Sequence, residues 1–142
     1  MRLMLIGSLL FLAACRQSES PRIDVHDGWA RAVTNPGGSA AAYLTITNKG
    51  AEDRLVTVES DRGTAASLHL SRMANGVMEM RPLPEGVPVP GHGEVALAPS
   101  GTHVMVERAG PLVPGDRFNL ALTFDKSGTV NVPVSVVAPG TR

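Results

Sequence analysis

Apolar and polar positions alternate strictly through most of the chain, a period that marks strands rather than helices. Phe118, Leu120, Leu122 and Phe124 alternate with Asn119, Ala121 and Thr123, the pattern of a strand with one buried face. Val130, Val132, Val134 and Val136 repeat it near the C-terminus, and Ala42, Leu44 and Ile46 do so early on. Shorter runs at Val56 and Val58, and at Val95 and Leu97, follow the same period. Turn-forming residues separate them: Asn35-Pro36-Gly37-Gly38, Asn75-Gly76, Pro90-Gly91-His92-Gly93, Pro114-Gly115-Asp116 and Ser127-Gly128. No segment carries a long amphipathic helical repeat. The pattern predicts an all-β domain, an antiparallel Greek-key sandwich of roughly seven to nine short strands. Pro133 interrupts the last run and donates no ladder hydrogen bond, so it is expected at an edge or a bulge.

The N-terminus breaks the pattern. Arg2 precedes an apolar stretch from Leu3 to Ala14 that is too short for a stable membrane span. The stretch ends in Leu12-Ala13-Ala14-Cys15, which resembles the lipobox of bacterial lipoproteins. That resemblance implies a signal peptide over residues 1–14 and a lipid on Cys15, the first residue of the mature chain. Residues 15–22, rich in Ser, Gln and Pro, then form a tether, and residues 23–142 form the domain. The expected place is the periplasmic side of a bacterial membrane, held by acyl chains. The competing reading is an ordinary secretion signal that happens to contain a cysteine.

Composition narrows the function. The chain has 142 residues, enough for one domain with a real core. Thirteen basic and thirteen acidic side chains cancel, which argues against a nucleic-acid partner. One cysteine excludes a disulfide framework and a zinc site built from cysteine pairs. With that cysteine lipidated, a blue-copper electron-transfer centre lacks its thiolate ligand. Ser67 and Ser71 lie near His69 but in no nucleophile motif, so no enzyme is expected. Of six methionines, Met1 and Met4 leave with the signal peptide. The other four, Met73, Met78, Met80 and Met105, fall in one 33-residue segment, and His92 and His103 share it with His69 just upstream.

Asn75-Gly76 is a preferred pair for a two-residue hairpin turn. In that register Ala74 faces Val77, Met73 faces Met78, Arg72 faces Glu79, and Ser71 faces Met80. His69, Ser71, Met73, Met78 and Met80 then share one face, with His69 diagonal to Met80. Leu68, Leu70 and Val77 take the other face, beside a favourable Arg72–Glu79 pair. A one-residue slip would separate His69 from Met80. Further on, His103 and Met105 share one face of a strand while Val104 and Val106 enter the core. Thioether sulfur is soft and uncharged, and imidazole suits copper in either oxidation state, so the donors favour Cu(I) over Zn²⁺, Ca²⁺ or Mg²⁺.

His69, ten residues, Met80, twenty-two residues, then His103-x-Met105 resembles the metal motif of the periplasmic copper chaperones called PCu(A)C. The family form has one residue fewer in the second gap, and the proline-rich stretch Pro82–Pro90 is the expected loop for the insertion. Asp27-Gly28-Trp29-Ala30-Arg31-Ala32, Ala41-Ala42-Tyr43-Leu44-Thr45-Ile46, Asn75–Pro82 and Gly101–Met105 also look like family landmarks. The resemblance implies a cupredoxin-like sandwich and Cu(I) ligands at His69, Met80, His103 and Met105, with Met73 and Met78 as auxiliary methionines. It further implies a monomer that passes copper to partners in cytochrome c oxidase assembly.

Blander assignments compete with this. Methionine is commonly core filler, and on that basis the chain is a non-metal interaction module on an anchored lipoprotein. His92, between glycines, is expected in an exposed turn, and His26 is expected to be structural or exposed. Trp29 reads as a core or rim aromatic. Asp24, Asp27, Asp53 and Asp61 are scattered and make no hard-metal set.

Overall fold

A computed structural model describes residues 18–142; the expected signal peptide over residues 1–14 and the expected lipid site at Cys15 lie outside the described residues. Ten strands follow in chain order: β1 Ile23–Arg31, β2 Ala40–Asn48, β3 Asp53–Ser60, β4 Ala65–Ala74 and β5 Val77–Pro82, then β6 Val87–Val89, β7 Gly93–Leu97, β8 Thr102–Glu107, β9 Arg117–Phe124 and β10 Gly128–Val137. They hydrogen-bond in the order β5-β4-β8-β2-β1-β10-β9-β3-β6, with β7 also on β2. All pairs are antiparallel except β1 with β10, the parallel seam where the two halves join.

Alternation builds the core. Phe118, Leu120, Leu122 and Phe124 of β9 are all buried. They pack in one cluster with Ala42, Leu44 and Ile46 of β2, Val132, Val134 and Val136 of β10, and Leu68, Val104 and Val106. Each large aliphatic side chain buried there stabilises the fold by about 1.5–3 kcal/mol.

Three expectations need correction. The described residues form ten strands, because the proline-rich stretch Pro82–Pro90 is not all loop. Val87 and Val89 flank Pro88 in β6, bury against the core and pair with β3. Val56 is exposed, since β3 is bulged between Leu55 and Thr57 and the bulge moves burial to Leu55 and Val58. Pro133 agrees with its expectation: it pairs with Asn119 of β9 on one side only, because the ladder between β1 and β10 begins at Ser135. The bulge lies on the facing strand: β1 shifts register between His26 and Trp29, with Asp27 at φ 56°. There the chain passes so close that a β-carbon on Gly28 would lie 2.4 Å from the Pro133 carbonyl oxygen.

The stretch expected to be a tether is docked at its end. Ser20 and Arg22 accept backbone hydrogen bonds from Ala51 and Lys49, and Glu19 pairs with His92 at 2.9 Å.

Candidate metal centre

The histidine- and methionine-bearing strands β5, β4 and β8 are neighbours in the sheet. Asn75 and Gly76 both have positive φ, 50° and 77°, the geometry of a two-residue hairpin turn with right-handed strand twist. That turn sets the register to Met73 opposite Met78, Arg72 opposite Glu79 and Ser71 opposite Met80. On the other side of β4, His69 lies opposite His103 and Ser67 opposite Met105. Period-two geometry then puts His69, Met80, His103 and Met105 on one face across three adjacent strands. Leu68, Val104 and Val106 project from the opposite face into the core.

Within this face the two imidazoles are held by the same atom. The His103 Nδ1 is 3.1 Å from the Gly101 carbonyl oxygen. A carbonyl only accepts, so Nδ1 carries the proton and Nε2 presents its lone pair. His103 is 2% exposed, and its Nε2 has no hydrogen-bond partner among the described residues. Leaving a buried acceptor unmatched costs about 1–3 kcal/mol. The His69 Nδ1 lies 3.4 Å from the Ser67 hydroxyl, and its ring sits 6.1 Å from that of His103, tilted by 21°. Anchoring both rings through Nδ1 leaves both Nε2 atoms for a ligand.

Tyr43 closes one flank, its ring 6.2 Å from His103. Trp29 packs on Tyr43 at 4.5 Å, and the Arg31 guanidinium lies 5.9 Å from both rings. Trp29 is thus a rim aromatic, half-buried on this outer face. The other flank is open. Met73, Met78 and Met80 are 62%, 48% and 56% exposed, which overturns core packing as the reason for these methionines. Met105 is half-buried, between Ala41 and Ser67 on the neighbouring strands.

The remaining candidates lie elsewhere. His92 is exposed in its turn, and His26 bridges Asp27 and Thr47. Asp53 and Asp61 hold turns through hydrogen bonds to Ser127 and Asn119. Among the described residues no three His, Cys, Asp or Glu side chains come together, so the soft, neutral face stands as the candidate centre. Ser67, Gly101 and Tyr43 support the site without being part of the copper motif, although Gly101 and Tyr43 lie in stretches that resemble family landmarks. The first two lie two residues before each histidine, where strand alternation is the signal, and Tyr43 is placed by pairing across the sheet.

Comparison with known proteins supports this picture. Residues 23–136 match the family described as putative lipoprotein LpqE-like. Putative lipoprotein Lxx21020 of Leifsonia xyli subsp. xyli (strain CTCB07) is 28% identical over 137 residues, 93% of this chain and 81% of that protein. Among solved structures, the copper-bound PCuAC domain from PmoF2 is 26% identical with a TM-score of 0.64, covering 82% of this chain and 93% of that one. The Cu(I) form of DR1885 from Deinococcus radiodurans is also 26% identical, with a TM-score of 0.60 and coverage of 87% and 83%. This chain therefore belongs to the LpqE-like family of putative lipoproteins, and its β-domain has the cupredoxin-like fold of PCuAC copper-chaperone domains.

Proposed function

We propose that this protein is a Cu(I) carrier, binding one ion through His69, Met80, His103 and Met105 and delivering it to an acceptor protein. The observation that carries the reading is the His103 Nε2. It is a buried lone pair with no partner among the described residues, on a face that it shares with a second imidazole and two thioethers. Four neutral donors suit a soft monovalent ion and leave it with its own single charge. The two thioethers carry no proton to lose on binding. The copper-bound state of the similar PmoF2 domain and the Cu(I) state of DR1885 support the choice of cargo.

Delivery follows from the asymmetry of the ligand set. His103 is enclosed, whereas Met80 is largely exposed. An acceptor thiolate approaches from the Met80 side, takes the ion as the thioether leaves, and the histidines release last. The acceptor belongs to the assembly of the cytochrome c oxidase copper centre. Lipid on Cys15 keeps the carrier on the periplasmic side of the membrane, in keeping with its lipoprotein relatives. The protein carries copper and catalyses no reaction.

Anaerobic titration with Cu(I) against a competing chelator tests the ligand set. One equivalent is expected to bind, with affinity reduced at least about tenfold in Met80→Leu and in His103→Ala. Absence of stoichiometric binding, or affinities unchanged in both variants, would refute the reading. Replacing Cys15 by serine is expected to move the protein from the membrane to the soluble fraction.

A further inference from the structure

The four-ligand centre leaves two methionines unexplained. Beyond Leu70, which is opposite Thr102, β4 no longer pairs with β8. From Ser71 to Met80 the chain is a two-stranded arm that pairs only with itself, apart from the Ser71 amide bonded to the Gly101 carbonyl. Met73 and Met78 are directly opposed near its tip, and Met78 and Met80 are two residues apart on the same strand. All three share the face that carries His69 and His103, and all three stand in water. A burial argument does not place them there: β5 is exposed throughout, and Arg72 and Glu79 make an exposed 3.5 Å ion pair on the other face.

We infer that Met73 and Met78, with Met80 shared, form a second soft-metal position, a thioether-only station where Cu(I) enters and leaves the protein. This inference rests on the Cu(I) reading of the central site. Directly opposed residues in an antiparallel pair have β-carbons about 5 Å apart, and methionine side chains are long and flexible enough to turn two sulfurs onto one ion. Met80, about 7 Å along the strand from Met78, reaches either this pair or the His69–His103 pair. Cu(I) therefore moves by ligand exchange. A bond to Met73 or Met78 breaks as a bond to an imidazole forms, Met80 holds the ion between, and neither electrons nor protons are transferred. The station binds more weakly than the centre because it lacks imidazole, and it is the first donor set an approaching acceptor meets. The tight Asn75-Gly76 turn keeps Met73 and Met78 opposed in the absence of any sheet neighbour.

The test uses protein with isotopically labelled methionine methyl groups, titrated anaerobically with Cu(I) supplied as its acetonitrile complex. The first equivalent is expected to shift the Met80 and Met105 methyls, and further Cu(I) to shift Met73 and Met78 in a second, weaker step. The double variant Met73→Leu/Met78→Leu changes only exposed side chains, so the fold is retained. It is expected to keep the first step, lose the second, and deliver Cu(I) to glutathione roughly tenfold more slowly, a barrier increase of about 1.4 kcal/mol. Met73 and Met78 methyls that stay put in excess Cu(I), or an unchanged delivery rate in the double variant, would overturn the station. Failure of the central site is distinguishable, because it removes the Met105 shift from the first step.

Discussion

His103 separates a ligand from a structural residue at the scale of one side chain. A buried residue at 2% exposure is ordinarily costly to replace. Here the folded chain already bears an unmatched Nε2, so an apolar side chain of similar size removes a penalty along with the Nδ1 hydrogen bond to Gly101. His103→Leu is therefore expected to leave the metal-free protein within about 1 kcal/mol of the parent in urea unfolding. Cu(I) is expected to raise the melting temperature of the parent and not that of this variant, because stabilisation by a ligand requires the site that binds it. A large loss of metal-free stability with the Cu(I) effect retained would make His103 a structural residue. The sequence marks this residue through the His-x-Met pair on an alternating strand. It does not mark the orphaned nitrogen, which depends on how Gly101 turns into β8.

At the scale of elements, what was legible depends on whether a local signal controls it. The β4–β5 register was readable because Asn75-Gly76 sets it within two residues, and the β9 and β10 cores were readable because period two runs unbroken. The bulges at Leu55–Thr57 and His26–Trp29 were not, since each answers to a strand distant in the chain. Asp53 shows the same limit. It read as one scattered acid, yet its carboxylate closes the β9–β10 turn, accepting the amides of Lys126 and Ser127, the Ser127 hydroxyl and the Arg54 amide. Burial alone would raise its pKa, but the hydrogen bonds from Ser127, Lys126 and Arg54 outweigh burial and hold it below the ordinary carboxylate value. A depressed folded value means the charged form contributes stability above the ordinary pKa, and that contribution disappears as pH falls through the folded value. Asp53→Asn should lower unfolding free energy by about 1–3 kcal/mol at neutral pH. The gap between variant and parent should narrow progressively as the pH is lowered through the carboxylate range. A gap independent of pH would show that the charge of Asp53 contributes nothing.

At the scale of the molecule, strand register ties the proposed anchor to the metal centre. β1 begins at Ile23 opposite Asn48, and β2 passes Ala42 opposite Val104 of β8. β8 in turn places Thr102 opposite Leu70, beyond which β4 runs on to the hairpin tip. Followed across the sheet, the docked residues Glu19–Arg22 and the methionine arm project from the same end of the sandwich, and the Asn35–Gly38 loop lies at the other. Cys15 lies four Cα-to-Cα steps from Glu19, a reach of at most about 14 Å when fully extended. A lipid on Cys15 would therefore hold the arm toward the bilayer. The orientation can be read with a fluorophore on a new cysteine at Asn75 or at Pro36, since a lipid on the Cys15 sulfur would remove it from labelling. Headgroup-nitroxide lipids should quench the Asn75 label more strongly than the Pro36 label. Equal quenching, or stronger quenching at Pro36, would turn the arm away from the membrane and require an acceptor with a soluble docking domain. If Asn75 is the more quenched, a flexible Gly-Ser insertion after Gln17 should leave Cu(I) affinity unchanged and slow delivery to a membrane-bound acceptor, because only the second of these depends on where the arm is held.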